Sequence, residues 1–97
     1  MTRDETLRIL RAHWTQLQRQ FGVRTLSIFG SVARDSATPT SDVDMLVEFA
    51  VPTGYFGLVR LQLHLQELLG CEVDLGTPQS LRPALRRHIE SEAVRVT

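Results

Sequence analysis

The run Gly30-Ser31-Val32-Ala33-Arg34-Asp35-Ser36-Ala37-Thr38-Pro39-Thr40-Ser41-Asp42-Val43-Asp44 decides how the rest of this 97-residue chain is read. Its first pair follows Thr25-Leu26-Ser27-Ile28-Phe29, a short β-prone run that reads as a buried strand. Ser31 to Asp35 reads as one or two helical turns, and Ser36 to Ser41, with Pro39 and four hydroxyl residues, as a loop. A glycine between strand and helix lets the backbone turn tightly and lets a ligand approach with no Cβ in the way. The helix start offers free N–H groups and the positive end of its dipole, and the Ser31 hydroxyl adds a donor. Gly30 and Ser31 thus read either as an anion pocket suited to a nucleoside triphosphate or as a plain turn and cap.

Asp42 and Asp44 open a second predicted strand, Asp42 to Phe49. Side chains alternate across a strand, so both carboxylates share a face, about 7 Å apart. They repel each other unless something cationic sits between them. Hard oxygen ligands suit Mg²⁺ or Mn²⁺. A third short strand, Cys71-Glu72-Val73-Asp74-Leu75, carries Asp74 between two apolar residues, a poor place for an unpaired charge. Beside the second strand, Asp74 would complete a three-carboxylate cluster. Glu72 shares its face, and alternation alone does not choose between them.

Outward from this segment, helices alternate with strands. Thr2 and Glu5 form a capping box ahead of a stripe at Leu7, Leu10, Trp14, Leu17 and Phe21, which predicts one helix from about Thr2 to Phe21, stopped by Gly22. Leu58, Leu61, Leu65 and Leu68 mark a second long helix closed by Gly70. Val59, Leu63 and Leu69 widen its stripe, which fits core packing or a protein-binding face. Thr77-Pro78 suggests a cap, a last helix covers about Pro83 to Glu92, and Ala93 to Thr97 is an extended tail. The expectation is an α/β (α+β) fold. Helices pack on a small mixed three-stranded sheet, in the order α-β-α-β-α-β-α, within one domain spanning residues 1–97.

Composition narrows the chemistry. Eleven basic residues balance eleven acidic ones, and every basic residue is arginine. With no lysine there is neither Schiff-base chemistry nor a lysine-bearing phosphate loop. Zero net charge argues against a sequence-independent nucleic-acid coat, so no direct nucleic-acid binding is expected. Cys71 is the lone cysteine, which excludes an internal disulfide and fits a reducing cytoplasm. The polar, mixed-charge start is unlike a signal peptide, and no apolar run suits a membrane span. His13, His64 and His88 are too dispersed for a zinc site.

Together, a phosphate-binding turn, a metal-binding pair and a third acid on a later strand are the parts of two-metal phosphoryl or nucleotidyl transfer. At this point a resemblance becomes definite. Gly30-Ser31, ten intervening residues and Asp42-Val43-Asp44 match the signature of the DNA polymerase β-like nucleotidyltransferase superfamily. The run GSVARDSATPTSDVDMLVEF resembles the minimal nucleotidyltransferases (the MNT family). CEVDLGTPQSLRPALRRHI resembles that family's third strand and last helix, which places the third carboxylate on Asp74 rather than Glu72. Two residues depart from the pattern: Asp35, where many relatives carry glycine, adds an acid near the phosphate pocket, and Met45 stands where leucine is usual, a harmless packing change.

The resemblance implies a nucleotidyltransferase-like fold and a Mg²⁺-dependent enzyme, with two ions and Mn²⁺ as a substitute. Members of this size are often antitoxins of HEPN/MNT pairs, transferring AMP from ATP to a tyrosine of a partner HEPN ribonuclease toxin in a hetero-oligomer. By that likeness Asp42, Asp44 and Asp74 are the catalytic and metal-binding residues, with Asp74 also activating the acceptor hydroxyl. Gly30 and Ser31 would hold the β- and γ-phosphates, and Arg34 would pair with a phosphate unless it is a plain surface arginine. The nucleotide-binding core uses up the sequence, which points to an acceptor on another molecule. Two other readings stand beside this one: a non-catalytic antitoxin that neutralises by binding, and a transferase with a small-molecule acceptor. Tyr55 reads as a loop anchor or a base-stacking ring, and Arg82, Arg86 and Arg87 as a solvated basic face. Three of the five aspartates fall in the proposed cluster, so the zero charge is a sum of an acidic site and an arginine-rich remainder.

Overall fold

The computed structural model describes residues 1–38 and 40–97; Pro39, in the expected loop, lies outside them. The helices are α1 (Arg3–Ala12), α2 (Trp14–Phe21), α3 (Gly30–Ala33), α4 (Tyr55–Leu69) and α5 (Pro83–Glu92). The strands are β1 (Val23–Phe29), β2 (Val43–Phe49), β3 (Val73–Gly76) and β4 (Val94–Arg95), with a 3₁₀ turn at Pro78–Ser80. Strand order is β3-β2-β1-β4. β1 is antiparallel to both β2 and β4, and β2 is parallel to β3, so the sheet is mixed as expected.

The strand count is a correction: four, not three. The extended tail pairs with β1, and it is held there by Val96, fully buried, whose N–H donates to Leu26 O at 2.8 Å. Arg11 Nε donates to Val96 O at 2.6 Å from α1. Two paired residues are too few to show an alternating pattern, which is why periodicity sees only a tail. The long first helix is also corrected, to two helices broken at His13 (φ −107°, ψ 12°). The His13 ring bonds the Ile9 carbonyl at 2.9 Å. A side chain that competes for the backbone ladder interrupts it without any Pro or Gly.

Two faces of the sheet differ. Val43, Met45 and Val47 of β2 join Leu26 and Ile28 of β1 in one core with Leu7, Leu10, Leu17, Leu61, Leu65 and Leu69 of the long helices. The wide leucine stripe of α4 is therefore mostly core, and Leu63 alone of it stands well exposed. His64 packs its ring against Phe21, centroids 4.8 Å apart, with the Arg60 guanidinium over the same Phe21 ring. The opposite face carries Asp44, Leu46 and Glu48 of β2 and Asp74 of β3. It is only partly covered, by the 3₁₀ turn and by α5, which has no buried residue. Tyr55, the expected loop anchor, instead begins α4 and is 73% exposed, its ring meeting the neighbouring Phe56 ring edge-on.

A candidate nucleotidyl-transfer site at the end of β1 and β2

The open sheet face ends in a row of three aligned residues. Asp74 pairs with Asp44 across β3 and β2, and Asp44 pairs with Phe29 across β2 and β1. Paired residues share a face, so the Asp44 and Asp74 carboxylates stand side by side. Asp42 precedes β2 by one residue and is exposed, as is Asp74; Asp44 is half-buried. Burial pushes the Asp44 carboxyl above its ordinary value, and the charges of Asp74 and then Asp42 push it further, while Arg34 pulls it down. The two acids expected to flank Asp44 therefore act on it electrostatically.

A closed ligand cage is not present: among the described residues no three His, Cys, Asp or Glu side chains converge tightly enough to hold a metal. Like charges on exposed side chains hold apart, and Asp42 lies outside the hydrogen-bonded strand. The donor set nevertheless fits a hard divalent cation. All the donors are carboxylate oxygens, and the central one is destabilised as an anion by its two neighbours.

Gly30 closes the site from β1. It sits at φ +71°, a conformation that favours glycine. A Cβ placed there would collide with Asp44 Oδ2 and lie 3.3 Å from its Cγ. The glycine thus brings the start of α3 directly against the central carboxylate. Ser31 is half-buried in the first turn of α3 beside it, and Arg34 caps that helix. The Arg34 guanidinium is held by Glu92 at the end of α5, at 3.2 Å, and Glu92 also faces His88 at 3.6 Å. An anion at the α3 turn would compete with Glu92 for Arg34.

Asp35, the departure from the family pattern, has a structural role. It is the one non-glycine residue with positive φ among those described (+58°), a conformation aspartate tolerates better than most residues. Its Oδ1 accepts from Arg3 N–H at 3.1 Å, so its charge faces the start of α1. Asp35→Ala is expected to cost about 1–2 kcal/mol, losing both the cap and the tolerance of the left-handed backbone. Asp35→Gly should cost less, because glycine restores the backbone freedom; urea midpoints of the two variants check the order. Neither contact leaves a local signal in the sequence, because Arg34–Glu92 and Arg3–Asp35 join residues 58 and 32 positions apart.

Cys71, just before β3, is partly buried, and burial pushes its thiol above its ordinary value. Thiolate is therefore scarce at neutral pH, and alkylation by iodoacetamide should run more slowly than for a free cysteine peptide.

A Gly-Ser helix start pressed against facing carboxylates on a mixed sheet is the arrangement expected of a nucleotidyltransferase. The nucleotidyltransferase domain model matches residues 10–96, and the chain belongs to that family. It is 38% identical over 96 residues to the protein adenylyltransferase MntA of Thermococcus cleftensis, covering 99% of this chain and 97% of that one. A solved structure provisionally named a minimal nucleotidyltransferase superposes with a TM-score of 0.82 at 38% identity, covering 97% of this chain and 95% of the other. A complex of tri-AMPylated Shewanella oneidensis HEPN toxin with MNT antitoxin matches at TM-score 0.67 and 18% identity, covering 94% of this chain and 71% of that chain, a likeness of fold alone.

Proposed function

We propose that this nucleotidyltransferase is a Mg²⁺-dependent protein adenylyltransferase of the antitoxin type. It would transfer AMP from ATP to a tyrosine hydroxyl of a partner HEPN ribonuclease toxin. The observation that carries the reading is the seating of Gly30 against Asp44, which brings a phosphate-binding turn to the carboxylates that would handle the reacting phosphorus. The name of the Thermococcus relative and the AMP-bearing toxin in the Shewanella complex support the protein acceptor.

Residue by residue, Ser31 and the free N–H groups of the α3 start hold the β- and γ-phosphates. Arg34 leaves Glu92 to pair with the triphosphate. Asp42, Asp44 and Asp74 would hold Mg²⁺, or Mn²⁺ in its place. Bound there, the cations offset charge on the triphosphate and polarise its α-phosphorus. Asp74, exposed on β3, would both bind the cation and help activate the acceptor hydroxyl as a base.

Arg34→Ala removes a charge-assisted hydrogen bond of about 1.5–3 kcal/mol, so the KM for ATP should rise roughly ten- to a hundredfold. Steady-state kinetics over an ATP series check this. The reading as a whole is tested by incubating the chain with ATP, Mg²⁺ and its HEPN-type partner. An AMP-bearing partner is expected, whereas a partner neutralised without modification would support an antitoxin that acts by contact.

A further inference from the structure

Little holds α5 to the fold. It meets mainly α3 and β1, and none of its residues is buried; Ile89 and Glu92 alone are half-covered. Beneath its end lies a cavity of about 310 Å³ with a largely polar lining that includes Thr25, Ser27, Glu48 and Arg95, so apolar packing contributes little there. The helix's own sequence adds little either. Its 10 residues are short for a helix standing alone. Arg82 at the N-cap makes no side-chain cap bond. Arg86 and Arg87 fall in the first half and Glu90 and Glu92 in the last turn, the reverse of what the helix dipole favours. Among the described residues, the one side-chain bond from α5 to another element is Arg34 Nη1 to Glu92 Oε2, at 3.2 Å. Arg34 in turn ends the turn that starts at Gly30, and its charge reaches Asp44.

We propose that Glu92 is a positioning residue for Arg34 and makes α5 a nucleotide-responsive flap. Without nucleotide, Glu92 holds Arg34 and pins α5; a bound triphosphate takes Arg34 over and releases the helix. The inference rests on the reading of Arg34 as a phosphate ligand and extends it to α5. Phosphate is the stronger claimant. The Arg34–Glu92 pair is a single contact between partly exposed groups, whereas phosphate oxygens accept two parallel bonds from a guanidinium. Glu92 then keeps only His88, at 3.6 Å, which lies on the same helix and ties it to nothing else. The C-terminal end of α5, with the negative pole of its dipole and two carboxylates, is also repelled by the triphosphate.

The chain on either side suits such a movement. Leu81, Arg82 and Ala93 are extended, and Val96 stays fixed in the core beyond them. The face that α5 partly covers is the one on which Asp44 and Asp74 stand, so a loosened α5 widens access to the reacting groups once a nucleotide is in place. Coupling of this kind is reciprocal: if nucleotide loosens α5, then freeing α5 from Arg34 tightens nucleotide binding by the same factor.

The test reads binding and amide hydrogen exchange, so it stands apart from turnover. A non-hydrolysable ATP analogue with Mg²⁺ should speed exchange across residues 83–92 of the parent chain. Glu92→Gln should exchange fast there with no nucleotide added, and it should bind the analogue about two- to fivefold more tightly, the range of an exposed ion pair. In an Arg34→Ala background the same substitution should leave affinity unchanged. Arg86→Ala, which breaks the Arg86–Glu90 pair inside α5, should also leave affinity unchanged, separating the Arg34 link from a general weakening of the helix. Weaker binding by Glu92→Gln, slower exchange in α5 with the analogue bound, or the same gain in affinity without Arg34 would overturn the proposal. Failure of the parent chain to bind the analogue at all would instead sink the adenylyl-transfer reading, and this extension with it.

Discussion

Asp44→Asn is expected to abolish AMP transfer while making the protein more stable at neutral pH. Both effects come from one position. Asp44 is the central carboxylate: it faces Asp74 across the β2–β3 pair, feels Asp42, and abuts Gly30. An amide keeps the shape and loses the anion that would hold the cation. Metal-assisted charge stabilisation is worth several kcal/mol, so the rate should fall by about three powers of ten or more. The stability gain follows from the raised carboxyl. Burial first, then Asp74 and Asp42, make the folded chain hold the Asp44 proton to higher pH than the unfolded chain does. Stability is therefore lost as pH climbs from the ordinary carboxylate range through the raised value, and that loss is fully present at neutral pH. Asparagine has no charge to bury, so the variant should melt higher than the parent at pH 7 and close to it at pH 3. Thermal melts across that range check the sign. Mg²⁺ should also raise the melting temperature of the parent at pH 7 more than that of the variant.

Gly30→Ala should damage both the fold and the site. A side chain at φ +71° costs about 1 kcal/mol or more in backbone strain. The added methyl also lands on the Asp44 carboxylate, which must rotate away or push α3 off the sheet. For a chain of this size each kcal/mol lowers the melting temperature by roughly 4–8 °C. A displaced Asp44 no longer lines up with the α3 turn, and a misplacement of about 1 Å is enough to cost on the order of a hundredfold in rate. Calorimetry and single-turnover transfer would measure the two losses separately. Gly22 and Gly70 also adopt positive φ, yet a Cβ there meets nothing, so alanine at either should weaken the fold and spare the transfer chemistry.

Local features of the chain were legible from sequence. α5 begins and ends where Pro83 and the end of the periodic pattern say it should, because proline in the first turn is a positional signal needing no partner. β1 and β2 are longer than four residues and show their alternation, so the faces of Asp44 and Val43 could be assigned before any coordinates. The Gly-Ser turn and the acid pair were legible for the same reason: their spacing lies within one stretch of chain. What was hidden depends on distant pairing. β4 exists because Val96 fills a place in the core beside Leu26, and nothing within residues 93–97 announces that place. The break at His13 comes from a ring nitrogen choosing the Ile9 carbonyl, while the apolar stripe runs on unbroken through α2. Glu92 as the holder of Arg34, and Asp35 as a cap on α1, needed the fold before either could be seen.

The decisive question is whether this chain attaches AMP to the proposed HEPN-type partner through Asp44. Mass spectrometry of the partner, after incubation with ATP, Mg²⁺ and either the parent or Asp44→Asn, measures it directly. The partner should be heavier by at least one AMP with the parent chain and unchanged with the folded variant. An unmodified partner with the parent chain, or equal modification by the variant, would contradict it.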